Sequence, residues 1–235
     1  MGALCVTLLV CTLVMQASPI VNGTFNPSYP PFTVNKPAST SAVYFGGSSW
    51  AKPWVFSDAS THNRSGIVGN SPTNGWGFTP MNGASFNALL EGQSNISQTL
   101  ALTQGDFYTL TFYLTARTYG NHQYAVDLVE VLIGGTMQTV TVKGVSTPTG
   151  VVTGGTQLGP TITLNKGQGW TQEKVTFTAT GPSEVLTFQG MTAGGATDPY
   201  TGLDDVSARV PEPAMALLLP FGLLFVNGLR KRFLA

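Results

Sequence analysis

Apolar and polar residues alternate along most of the chain, and the 3.6-residue spacing of an amphipathic helix is nowhere sustained. The clearest stretch is Phe107 to Thr115: Tyr108, Leu110, Phe112 and Leu114 fall on one face, Thr109, Thr111, Tyr113 and Thr115 on the other. Upstream, Ile96 to Leu102 alternates in the same way, and Thr103-Gln104-Gly105-Asp106 reads as the turn between the two strands. Tyr124 to Ile133 is apolar enough to predict a strand that is buried or carries a face-swapping bulge. Further strands are predicted at Gln138–Lys143, Trp170–Ala179, Glu184–Gln189 and Leu203–Arg209. Shorter ones are predicted at Ile20–Phe25, Val43–Phe45, Trp54–Phe56 and Ser85–Leu90. Glycine pairs and Gly-Pro steps punctuate them. Two stretches, Ser57 to Met81 and Gly144 to Pro160, read as long irregular segments and therefore as candidate binding loops. Many short antiparallel strands with such punctuation predict an all-β fold, a single jelly-roll-like β-sandwich.

Composition sharpens this picture. Charged residues make up 9% of the 235-residue chain, against a usual share near 25%. Of 11 basic residues three lie in the last 26 positions, and of 11 acidic residues one does, leaving a body with 8 basic and 10 acidic groups. Such a body has no basic patch with which to hold nucleic acid. Residues 1–17 read as a signal peptide, with an apolar run from Ala3 to Met15 and a small-residue cleavage site at Met15-Gln16-Ala17, although no positive charge precedes the run. Both cysteines, Cys5 and Cys11, fall inside it, so residues 18–209, the predicted sandwich, contain no thiol and no disulfide.

Residues 210–235 have three parts in order. Pro211-Glu212-Pro213 ends the folded body, because two prolines continue neither strand nor helix. An almost uncharged run from Ala214 to Leu229 follows, then Arg230, Lys231 and Arg232. Sixteen residues of helix reach about 24 Å, at the lower limit for spanning a bilayer, and Pro220, Gly222 and Asn227 weaken the segment further. The basic end would stay on the cytoplasmic side. This tail resembles the PEP-CTERM sorting signal of Gram-negative bacteria. The resemblance implies export, a membrane-held intermediate, recognition and removal of the tail by an exosortase, and release to the cell surface or matrix. An ordinary single-pass tail anchor is the alternative.

A second resemblance spans most of Val21 to Arg209. It is carried by Asn22-Gly23-Thr24-Phe25, Ile96-Ser97-Gln98-Thr99-Leu100, Gly105 with Tyr108-Thr109-Leu110-Thr111-Phe112, Arg117, Leu186-Thr187-Phe188 and Leu203-Asp204-Asp205-Val206-Ser207. The series is similar to the galactose-binding-like β-sandwiches of bacterial surface and plant cell-wall proteins. That likeness implies a jelly roll, in some members carbohydrate binding, and often one structural calcium. The calcium positions fall here on Asn26, where an acid is usual, and Asp204. On a regular strand Asp204 shares a face with Val206 and Ala208, and so points inward with them. A buried carboxylate then calls for a cation, for backbone amides or for Arg117.

Sugars pack their C–H faces on aromatic rings while polar groups at the edge read hydroxyls. Trp76, in Asn74-Gly75-Trp76-Gly77, and Tyr119, beside Arg117 and His122, are the candidate ligand contacts. Trp54 and Trp170 lie in strand-like runs and read as core. The acids are scattered singly, and no G-x-S-x-G, H-E-x-x-H or P-loop motif is present, so nothing nominates a catalytic site. The sequence therefore leads to a non-catalytic exported sandwich that binds or embeds in extracellular polysaccharide. A purely structural matrix protein is the alternative, and a polysaccharide-active enzyme a more distant one.

Overall fold

The computed structural model describes residues 18–25, 43–45, 52–60, 63–69, 81, 86–117, 126–142, 145–191 and 200–211. These form fifteen strands and no helix. The first five are β1 (Val43–Phe45), β2 (Val55–Phe56), β3 (Asp58–Ser60), β4 (Asn63–Gly69) and β5 (Phe86–Glu91). Next come β6 (Asn95–Ala101), β7 (Phe107–Ala116), β8 (Val126–Ile133), β9 (Thr136–Val142) and β10 (Val145–Thr153). The last five are β11 (Thr156–Gln157), β12 (Ile162–Asn165), β13 (Thr171–Thr178), β14 (Ser183–Met191) and β15 (Tyr200–Arg209).

One sheet runs β1-β4-β5-β15-β7-β13, with β3 beside β4; the other runs β11-β8-β14-β6-β2, with β12 beside β8. A separate ribbon pairs β9 with β10. Pairing is antiparallel throughout. The two large sheets pack face to face as the predicted β-sandwich.

The alternation in β7 does what it predicts: Tyr108, Leu110, Phe112 and Leu114 are buried in the core, while Thr109, Thr111 and Tyr113 on the other face are half-buried. Facing them from the second sheet are Ile96, Leu100, Val129, Val131, Leu186 and Phe188. Phe188 is the ring on which this core closes. Its centroid lies 5.0 Å from Phe112 in an edge-on contact and 6.2 Å from Trp54. Each such buried side chain contributes roughly 1.5–3 kcal/mol of burial free energy.

Three expectations are corrected. Residues 20–25 form no strand. Asn22 and Phe25 take left-handed φ values of 54° and 50°, and the backbone of Val21 bonds to the side chain of Gln98 (2.9 and 2.8 Å) instead of to a neighbouring strand. The stretch 57–81 contains β3 and β4, and the stretch 144–160 contains β10 and β11. Both were obscured by polar or chain-breaking residues: Ser65 is buried at an inward position of β4, and β10 holds Pro148 and Gly150. Finally, β15 starts at Tyr200 rather than Leu203.

Among the described residues no helix is long and apolar enough to cross a membrane. The expected signal peptide and all of the expected sorting tail beyond Pro211 lie outside them.

Candidate functional site

The outer face of the seven-stranded sheet, turned away from the core, is the polar and aromatic face. Register fixes its members. Tyr200 of β15 pairs with Glu91 of β5, Gly202 with Leu89 and with Thr115 of β7, and Asp204 with Tyr113. Gln172 of β13 pairs with Tyr113 in turn, and Trp170 precedes β13 on the same side. Glu91, Asn87 and Leu89 are fully buried although they point away from the core cluster.

Three residues are locked together at one end of this face. The Tyr200 hydroxyl donates to Glu91 Oε1 at 2.8 Å, and the Arg117 guanidinium lies 4.8 Å above the centre of the Tyr200 ring. Backbone bonds place Arg117: its N–H donates to the Tyr200 carbonyl (3.2 Å), and its own carbonyl accepts from Gly167 (3.1 Å).

Beside them lies an aromatic pair. Trp170 is half-buried, and its ring reaches over β7 toward β15. A methyl group placed at Gly202 would sit 3.0 Å from Trp170 Cη2, 2.7 Å from Thr115 Cγ2 and 3.2 Å from Asn87 Nδ2, so glycine there makes room for the indole. Tyr113, one diagonal step from Trp170, is also half-buried on this face. Trp54 is core as expected; Trp170 is not, because it stands just outside β13 on the outward side.

Asp204 also belongs to the outer face, which overturns the inward orientation read from the sequence. Asp204 pairs with Tyr113 and Ser207 with Thr111, so Asp205 and Val206 together oppose Phe112. This bulge, with Asp205 at φ 47°, shifts the alternation by one. Val206 and Ala208 are in the core, and Asp204 lies on the other side, 1% exposed. Its Oδ1 accepts from the Asp205 amide at 2.8 Å and its Oδ2 has no hydrogen-bond partner. Burial pushes its carboxyl up to about 7; the Asp205 amide opposes that shift and the Asp205 charge adds to it. One position beyond the Leu203–Ala88 pair, Asn87 stands beside it, and Asn87 Oδ1 is likewise buried without a partner.

A second acid, half-buried, belongs to the other sheet. Asp127 of β8 shares the inward side with Val129, Val131 and Ile133. Thr201 Oγ1 donates to it at 3.5 Å across the two sheets. Burial again pushes its carboxyl to about 7, with the Thr201 bond acting in the opposite sense.

Of the sequence-derived candidates, Arg117 falls on this face, while Trp76, Tyr119 and His122 lie outside the described residues. For calcium, Asp204 supplies one oxygen without a partner where the ion takes about six to eight, and Asn26 lies outside the described residues. No group of three or more His, Cys, Asp or Glu gathers among the described residues.

No protein-family model matches this chain, and no curated protein matches it. Solved structures do share its strand layout in part. A Stig cyclase from Fischerella sp. TAU is 16% identical over 82% of this chain and 96% of its own, with a TM-score of 0.46. The CBM22-1 xylan-binding domain from Paenibacillus barcinonensis is 11% identical over 74% of this chain and 96% of its own, at 0.44. TmCBM61, solved with β-1,4-galactotriose, is 11% identical over 68% of this chain and 90% of its own, at 0.41. Likeness at this level assigns neither ligand nor activity.

Sequence reasoning missed Glu91, Asn87, Tyr113 and Trp170 as members of one face. Tyr113 carried the usable signal: with Phe107 it is one of two aromatic residues on the threonine side of β7. Tyr200 reads as a turn residue until the pairing of β15 with β5 puts it opposite Glu91.

Proposed function

We propose that the sandwich binds polysaccharide without catalysis, on the outer face of its seven-stranded sheet. The observation that carries this reading is the juxtaposition of two half-buried aromatic residues, Trp170 and Tyr113, with the Arg117–Tyr200–Glu91 cluster. Flat rings offer a surface to sugar C–H groups, and the half-buried Arg117 beside them donates to hydroxyls, held in place by the buried Tyr200–Glu91 pair beneath it. The carboxylates of this face favour a binding role over hydrolysis. Glu91 stands level with Tyr200, and Asp204 follows four residues along β15, about 13 Å away along the strand, whereas glycosidase pairs stand roughly 5–10 Å apart. In the same reading, residues 1–17 direct export, and the tail of Pro211-Glu212-Pro213, the apolar run and Arg230-Lys231-Arg232 is recognised and removed by an exosortase, leaving the body at the surface or in the matrix.

Two measurements test the two halves of this reading. Retardation of the full chain in gels containing neutral or acidic polysaccharide is expected. Trp170→Ala and Tyr113→Ala should each weaken it by up to about tenfold, the worth of one aromatic contact. Migration unchanged by every polysaccharide would leave a structural matrix role as the better account. For sorting, intact mass in hosts with and without exosortase should show loss of the tail only where the enzyme is present. An uncut tail in both hosts would leave a membrane-anchored sandwich.

A further inference from the structure

The ribbon β9–β10 leaves the six-stranded sheet through a paired glycine step. Ile133 pairs with Thr156 and Thr136 pairs with Thr153, so both lie in one continuous register. Gly134-Gly135 and Gly154-Gly155 therefore stand opposite each other at the root of the ribbon. All four have positive φ, at 80°, 81°, 75° and 106°. Residues with side chains rarely adopt these angles, and four of them facing each other cannot continue a pleated ladder. The strands pass close here: a methyl at Gly135 would lie 2.9 Å from the Gly154 carbonyl oxygen.

Past this step, β10 runs beside β2 and β6, although β8, from which the ribbon springs, is separated from β6 by β14. Val55 of β2 and Ser97 of β6 pair on the side facing away from the core, and Thr187 of β14 is next in their row. They are nonetheless buried, at 8%, 0% and 0% exposure, with the Ser97 and Thr187 hydroxyls bonded at 3.1 Å. From Thr136 to Thr153 the chain carries a single charge, Lys143, so its transfer from one docking face to another desolvates little charge.

We propose that β9–β10 is an exchange arm: it swings about the opposed diglycines and docks on the row Val55–Ser97–Thr187 of a second copy of this chain. Exchange conserves every contact made within one chain and alters only the hinge, which is why such arms interconvert monomers and assemblies at low cost. Two copies can exchange reciprocally, or each can pass its arm to the next and build a row.

The test uses the full chain in mild detergent, co-expressed with two different tags, with capture on one tag and detection of the other. Wild-type copies should be co-captured. Gly135→Ala, which strains the folded-back hinge, should raise co-capture by up to about tenfold. Removing residues 136–153 from both copies should abolish co-capture, and removing them from one copy only should preserve it. Co-capture that survives removal of both arms would place the association elsewhere, in the apolar ends, and overturn the proposal. So would its absence in both wild type and Gly135→Ala, a comparison that stands even where the shortened chain fails to fold.

Discussion

Raising the pH from 5 to 8 will destabilise this sandwich, and Asp127→Asn with Asp204→Asn will remove most of that dependence. Both carboxyls are pushed from 3.8 to about 7 by burial. Between those values the folded chain holds protons that the unfolded chain releases. Stability therefore falls as pH rises through this window and levels off above about 7. Between pH 5 and about 7 roughly two pKa units are swept, a ceiling of about 3 kcal/mol per group. Against a total stability of roughly 5–15 kcal/mol for a domain, two such groups are a large share. Urea midpoints at pH 5, 6, 7 and 8, for wild type and the double variant, give the comparison. The wild-type midpoint should drop across the series while that of the variant stays nearly level and lies higher at pH 8. A wild-type midpoint that does not move would mean both carboxyls titrate normally.

The second large effect belongs to the core. Phe188→Ala should cost about 3–5 kcal/mol, the range for losing a fully buried aromatic ring. Phe188 is 0% exposed and touches Phe112 and Trp54 from opposite sheets, so the space it leaves is walled by rigid rings that cannot close over it. Val185→Ala, three positions earlier in β14 on the half-buried outer side, should cost less than about 1 kcal/mol. Equal losses at the two sites, by urea unfolding at pH 6, would mean that the core does not close on this ring.

Much of the sandwich is legible in the sequence because β6, β7, β13 and β14 each carry an apolar inward side and a more polar outward one. The exceptions have local causes. β4 reads Asn-Arg-Ser-Gly-Ile-Val-Gly, and both of its sides are buried, Ser65 and Ile67 inward and Val68 outward, so no alternation survives. In β15 one extra residue at Asp205 reverses the facing of everything before it, and a period-2 reading carried back from Ala208 turns Asp204 to the wrong side. The site itself is built across strands far apart in the chain: Glu91 and Tyr200 meet at a separation of 109 residues. Nothing in either neighbourhood advertises the other. Arg117 was found through the resemblance series and its neighbours Tyr119 and His122, whereas Trp170 misled because it stands at the start of a strand-like run.

The last strand has a mechanical consequence. β15 pairs with β5 over residues 200–203 and with β7 over residues 201–209, and the flank of its second half that β5 leaves open is tied to the first described residues, where Val206 N–H donates to the Gly23 carbonyl and Ala208 N–H to Ser18 Oγ. Any pull on the chain beyond Val210 thus enters the middle of a sheet rather than its rim. Hydrogen bonds on both flanks must then yield in shear, many at once, where an edge strand would peel off bond by bond. A polymer gripped on the outer face and a tether drawn from the end of β15 would load that same sheet, and tension between them would be carried by its best-supported strand.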